Sequence, residues 1–157
     1  MDFWCVFAVC FGSSLALDIT PTMVWGQGVS FTFNAAGLSA NALNGPTAVA
    51  FDNQGRLLIA DHNNARCLRY PLGSTVADLV YGQGVSGLAF GSNFAGTTSV
   101  DFGGPYHMAL DRTDGSLYVS DSLENGAGNN RVLLIPSPGV SASFAFGQGD
   151  TNSKVPG

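Results

Sequence analysis

Short apolar runs of three to five residues, separated by turns rich in Asp, Asn and Gly, recur along the chain and never lengthen into a helix-period pattern. Ala48–Phe51 is followed by Asp52-Asn53-Gln54-Gly55. Asp and Asn can bond nearby backbone there and Gly supplies a positive φ, so the pattern predicts a hairpin returning through Leu57–Ala60. A third strand is predicted over Cys67–Tyr70 and a fourth over Ala77–Tyr81. The same series then repeats: Met108–Leu110, the turn Asp111–Gly115, Leu117–Val119, Val132–Ile135 and Ser143–Phe146.

The repetition extends to individual residues. Gly45-Pro46 matches Gly104-Pro105, Asp52 matches Asp111, Gly55 matches Gly115, and Asp61 matches Asp121. Asn64 falls on Asn130 or its neighbour Asn129, Arg66 on Arg131, and Pro71 on Pro136. A marker of an aromatic residue followed by Gly-Gln-Gly flanks the copies at Trp25–Gly28, Tyr81–Gly84 and Phe146–Gly149. Four antiparallel strands per copy describe a blade of a β-propeller. The fold expected is therefore all-β, with two full blades at about 45–82 and 104–147 and partial repeats on either side. Ile19–Trp25 reads as an isolated strand of the fourth type, and 148–157 as the start of a further repeat.

Proline, an apolar strand, Asp-x-x-Gly, a second apolar strand, Asp, then Asn-Asn-Arg-Val resembles the NHL repeat, and the Gly-Gln marker with its long loop resembles one variety of NHL array. The resemblance covers nearly all of Gly26–Gly149. The first copy departs from it at Asn64-Ala65-Arg66, and the second carries the insertion Leu123–Gly128. The resemblance implies a propeller that acts as a binding or interaction module. Its alternative is a fragment of a propeller enzyme, peptidyl-hydroxyglycine lyase-like or hydrolase-like, whose catalytic residues lie outside this chain.

Composition narrows the picture. Charged residues are 11% of the 157, against roughly 25% in ordinary soluble domains, so the surface is polar through Asn, Ser, Thr and Gly. Six basic residues against eleven acidic ones offer no positive stripe for phosphates, which argues against nucleic acid and separates the chain from RNA-binding members of the family it resembles. Residues 1–16 read as a signal peptide, from the apolar run Phe3–Phe11 and the small residues Gly12–Ala16, although Asp2 stands where a basic residue is usual. The expected mature protein, 17–157, is secreted, with no membrane contact beyond that segment. Cleavage would remove Asp2, Cys5 and Cys10, leaving a net charge of −4 and Cys67 alone. Cys67 aligns with Val132 and reads as a small buried apolar residue.

Two blades expose two open faces, and a repeat unit buries its apolar faces only against neighbours. Three arrangements answer this: a fragment of a longer product, a homo-oligomer that completes a propeller between copies, or two sheets folded back on each other as a sandwich.

Antiparallel order places the long loops 29–44 and 85–103, together with 62–65 and 122–130, on one face. The short turns 53–55, 72–74, 113–115 and 137–140 lie on the other. The long-loop face is expected to bind a protein or small-molecule ligand through Phe31, Phe33, His62, Asn63, Phe90, Phe94, Tyr106 and His107. The competing reading is that these Phe side chains pin their loops to the blade. His62 and His107 are the only histidines, too few for a zinc site, which takes about three protein ligands. No catalytic or metal-binding residue and no cofactor is assigned. Asp61 with Arg66 and Asp121 with Arg131 recur in both copies and so read as structural. Asp111–Gly115 reads as a hairpin turn rather than a calcium loop, and the Gly-Gln-Gly markers as strand ends rather than phosphate loops.

Overall fold

The computed structural model describes residues 21–28, 30–32, 35–91, 95–122 and 129–148. The expected signal segment, the 123–128 insertion and the tail from 149 onward lie outside the described residues. Two four-stranded antiparallel sheets account for nearly all the regular structure. Sheet I contains β1 (Pro46–Phe51), β2 (Leu57–Asp61), β3 (Arg66–Tyr70) and β4 (Leu79–Tyr81). Sheet II contains β5 (Pro105–Leu110), β6 (Leu117–Asp121), β7 (Arg131–Ile135) and β8 (Phe144–Phe146). In both, spatial order follows chain order. The eight expected strands are all present, with ends shifted by one to three residues. The ninth is not: 21–25 form no strand, and Gln27 makes only an isolated bridge to Ala42.

The hairpin turns form as their residues require. Asp52 Oδ1 accepts the N–H groups of Gln54 and Arg56, both at 2.9 Å, and Gly55 takes a φ of +75°. In the other copy Asp111 Oδ1 accepts from Thr113 N–H at 2.8 Å, and Gly115 has φ +79°. In Asp52, desolvation raises the pKa but is outweighed by the hydrogen bonds and the charge of Arg56, which hold the carboxyl below its ordinary value. Both inner strands open on a proline, where no N–H is needed, and both are irregular just after it.

The sheets pack through opposite faces of the repeat. Sheet I contributes Ala48, Ala50, Leu58, Ala60, Cys67, Leu79 and Tyr81 to the shared core, and sheet II contributes Met108, Leu110, Leu117, Val119, Leu133, Ile135 and Ala145. Val119 corresponds to Ile59, which points away from this core into a second cluster with Leu43, Leu68, Tyr70, Ala77 and Val80. Each sheet thus turns to its neighbour the face that the other turns away. A fold-back sandwich would bring like faces together; the arrangement seen is a head-to-tail stack. Cys67, fully buried in the interface, has its thiol pKa pushed well above the ordinary value by burial and then by the carboxylates of Asp121 and Asp61.

A buried ion pair in each sheet ties down the long loop before it. Asp61 and Arg66 have fully buried side chains, with Nε to Oδ2 at 2.8 Å; Asp121 and Arg131 are the same at 3.0 Å. Asp61 also accepts Asn44 N–H and Asn64 Nδ2, while Asp121 accepts the N–H groups of Gly103 and Gly104 and Asn129 Nδ2. The guanidinium of Arg66 donates to the carbonyls of Leu38, Ser39, Ala42 and Phe90, and that of Arg131 to those of Thr97, Thr98 and Asp101. Asn129 is therefore the partner of Asn64. Asn130 matches Ala65, and the two share positive φ values of 48° and 51°. Desolvation is the largest influence on Asp61 and raises its pKa, against the opposing hydrogen bonds from Asn44, Arg66 and Asn64.

Candidate functional site

The two chain segments that begin the inner strands meet where the sheets adjoin. Thr47 Oγ1 donates to the Pro105 carbonyl at 3.2 Å, and His62 Nδ1 lies 3.3 Å from the same oxygen. His62 sits in the short 3-10 turn between β2 and β3, closed by Ala65 in the left-handed conformation. Its ring meets the ring of Tyr106 edge-on, with centroids 5.3 Å apart and planes at 83°. Tyr106 in turn stacks beside His107 at 6.2 Å and 17°. Both histidines of the chain and one tyrosine are thus gathered from residues 44 and 45 apart in sequence. Tyr106 and His107 are exposed, so the cluster offers solvent an aromatic edge with imidazole donors and acceptors beside it.

The remaining expected contact residues divide. Asn63 is exposed next to the cluster and donates to Asn44 Oδ1 at 3.3 Å. Its side chain covers Gly45, where φ is +65° and any Cβ would strike it. Phe31 is 55% exposed, and no ring contact among the described residues joins it to the cluster. Phe90 packs against the second core, and its carbonyl accepts from Arg66, so its structural role is to hold the long loop down. Phe33 and Phe94 lie outside the described residues.

On the short-turn side a cleft of about 310 Å³ opens between the sheets, lined by Asp52, Arg56, Arg69, Tyr81 and Asp114 over a floor of Leu58, Leu117 and Ile135. Its two guanidiniums are already engaged. Arg56 pairs with Asp52 at 2.5 Å, and Arg69 makes a two-point pair with Asp78 at 2.9 Å. No sequence signal marks this cleft, because its lining comes from three turns and from strands that meet only when the sheets stack. Among the described residues no group of three or more His, Cys, Asp or Glu side chains is placed to hold a metal ion, and no helix is long and apolar enough to cross a membrane.

In comparisons with known proteins, no family model matches the chain and no curated protein matches it.

Proposed function

We propose that the two sheets are consecutive blades of an NHL-type β-propeller, and that the protein is a secreted binding module using its long-loop face. The head-to-tail stacking supports the propeller part of this reading, since every blade of a propeller turns one face to its predecessor and the other to its successor. The observation that carries the binding part is the convergence of His62, Tyr106 and His107 at the blade boundary. An exposed Tyr flanked by two imidazoles, all on regular strands and a tight turn, is a rigid amphipathic anchor of the kind that dominates interfaces. The opposite cleft is the weaker candidate, because both of its guanidiniums are already paired with carboxylates of the chain.

The test is selection of a displayed random-peptide library on the full chain, followed by retesting of the enriched peptides on variants. Tyr106→Ala with His107→Ala is expected to weaken binding at least about tenfold, the scale of an interface hot spot. Asp114→Ser, on the short-turn side, should leave it unchanged. Equal loss from Asp114→Ser would overturn the assignment of the face, and so would enrichment of peptides indifferent to Tyr106 and His107.

A further inference from the structure

The packing inside the chain states what each of its uncovered faces fits. Outward on sheet II lie Ala109, Tyr118, Val132, Leu134, Phe144 and Phe146, with Phe144 and Phe146 54% and 47% exposed. Their rings touch at 4.9 Å, and Phe146 lies 6.4 Å from Tyr118. By the repeat, Tyr118, Val132, Phe144 and Phe146 correspond to Leu58, Cys67, Leu79 and Tyr81, which sheet I buries against sheet II. At the other end Val49 and Phe51 of sheet I are 65% and 56% exposed. They correspond to Met108 and Leu110, which sheet II buries against sheet I. One chain therefore carries both halves of an interface it already forms internally: the sheet II half is open, and the sheet I half is open at Val49 and Phe51, while Ile59, Leu68, Tyr70 and Val80 lie buried in the cluster that includes Leu43 and Trp25.

The seat for such a union is visible and is occupied from within. Gly82 lies under Phe102, with Phe102 N–H donating to Gly82 O and Gly84 N–H to Val100 O. The segment Trp25–Gly28 copies this on sheet I: Gly26 lies under Leu43, Gly28 N–H donates to Asn41 O, and Gln27 bridges Ala42 as Gln83 bridges Asp101. Among the described residues no sheet stands behind the copy. Gln83 and Gln148 each donate Nε2 to two carbonyls of the turn between second and third strands, and Gln27 makes no such bond among the described residues; its buried Oε1, like that of Gln148, has no partner. Beside Gly147, Val132 and Phe146 line a shallow hollow at the place where Phe102 is received on sheet I.

We propose that the outer face of sheet II receives the outer face of sheet I of a second copy of this chain, head to tail, with Phe146-Gly147-Gln148 displacing that copy's own Trp25-Gly26-Gln27 from its Leu43. Trp25, held by a 2.9 Å bond from Nε1 to Ser74 O, is then a built-in competitor that limits association. This inference rests on sheet packing and is independent of any ligand on the long-loop face. A head-to-tail contact uses two different surfaces, so it propagates to a ring or a filament instead of stopping at a symmetric pair.

Sedimentation velocity of the full chain over a range of concentrations provides the test. Self-association is expected, weakened at least about tenfold by Phe144→Ser with Phe146→Ser and equally by Val49→Asp with Phe51→Asp. All four side chains are exposed, so each variant should keep the melting temperature of the parent. Mixing the two double variants should restore one contact and give a dimer that does not grow. Trp25→Ser should strengthen association several-fold. The proposal is overturned if the parent stays monomeric throughout. It is overturned equally if the Val49/Phe51 variant associates like the parent while the Phe144/Phe146 variant does not, which would indicate like faces pairing. Failure of the mixture to form a dimer, or weaker association of a folded Trp25→Ser chain, would also contradict it.

Discussion

Asp121→Ala is expected to lower the free energy of unfolding by about 4 kcal/mol, within the 3–5 kcal/mol typical of removing one partner from a buried ion pair. The reason is what the carboxylate does at once. It neutralises the fully buried Arg131 guanidinium, accepts Asn129 Nδ2 at 2.6 Å, and takes the N–H groups of Gly103 and Gly104 at 2.7 and 2.9 Å. Truncation leaves a buried cation and three buried donors without their acceptor, and releases the loop that Arg131 holds through its carbonyls. Such a loss is a large share of the roughly 5–15 kcal/mol that holds a domain folded. Asp52→Ala, at a partly exposed turn pair, serves as the comparison, expected to cost about 1 kcal/mol or less. Urea titration of the two variants checks both values; equal costs would mean that the buried pair is not what holds the long loop in place.

Gly82→Ala is expected to cost about 3 kcal/mol, from about 1–2 for an L residue in the left-handed region and about 1–3 for overpacking. Gly82 has φ +85°, and an added Cβ would come within 2.2–2.8 Å of three ring atoms of Phe102, a fully buried side chain in the interface between the sheets. Gly84 separates the two contributions. Its φ is +86° and nothing lies near its added Cβ, so Gly84→Ala should show the backbone cost alone. Phe102→Ala combined with Gly82→Ala should cost less than the sum of the singles, because the clash disappears with the ring. Strict additivity in the urea-derived free energies would show that Phe102 does not sit over Gly82.

The strands were legible because their evidence is local. Asp52 and Gly55, or Asp111 and Gly115, specify a hairpin within five residues, and the apolar runs on either side have nowhere else to go. The structural role of the Asp and Arg pairs followed from their recurrence. Their acceptors did not: Leu38, Ser39 and Ala42 are ordinary loop residues that serve Arg66 through backbone oxygens any sequence would carry. The expected strand at 19–25 found no third strand to pair with among the described residues, and Trp25 acts there as a wedge against sheet I. Antiparallel order placed His62, Tyr106 and His107 on one face, but not in contact. The meeting of His62 with Tyr106 depends on the stacking of two sheets, which no spacing in the sequence encodes. Of the two readings open for Phe90, ligand contact and loop pin, its partly buried ring packed against the second core fits the pin, since a Phe in a polar loop pins a loop as readily as it binds a ligand.

Head-to-tail stacking of the two sheets underlies both the site and the interface, and methyl and aromatic NOEs on isotopically labelled protein test it directly. Cross-peaks are expected from the methyls of Leu58 and Ala60 to those of Leu117, Val119 and Leu133, and from the Phe102 ring to the Gly82 α-protons. Cross-peaks from Leu58 and Ala60 to the rings of Tyr118, Phe144 and Phe146, in dilute monomeric protein, would place like faces together and contradict the repeat packing from which the site and the interface both derive.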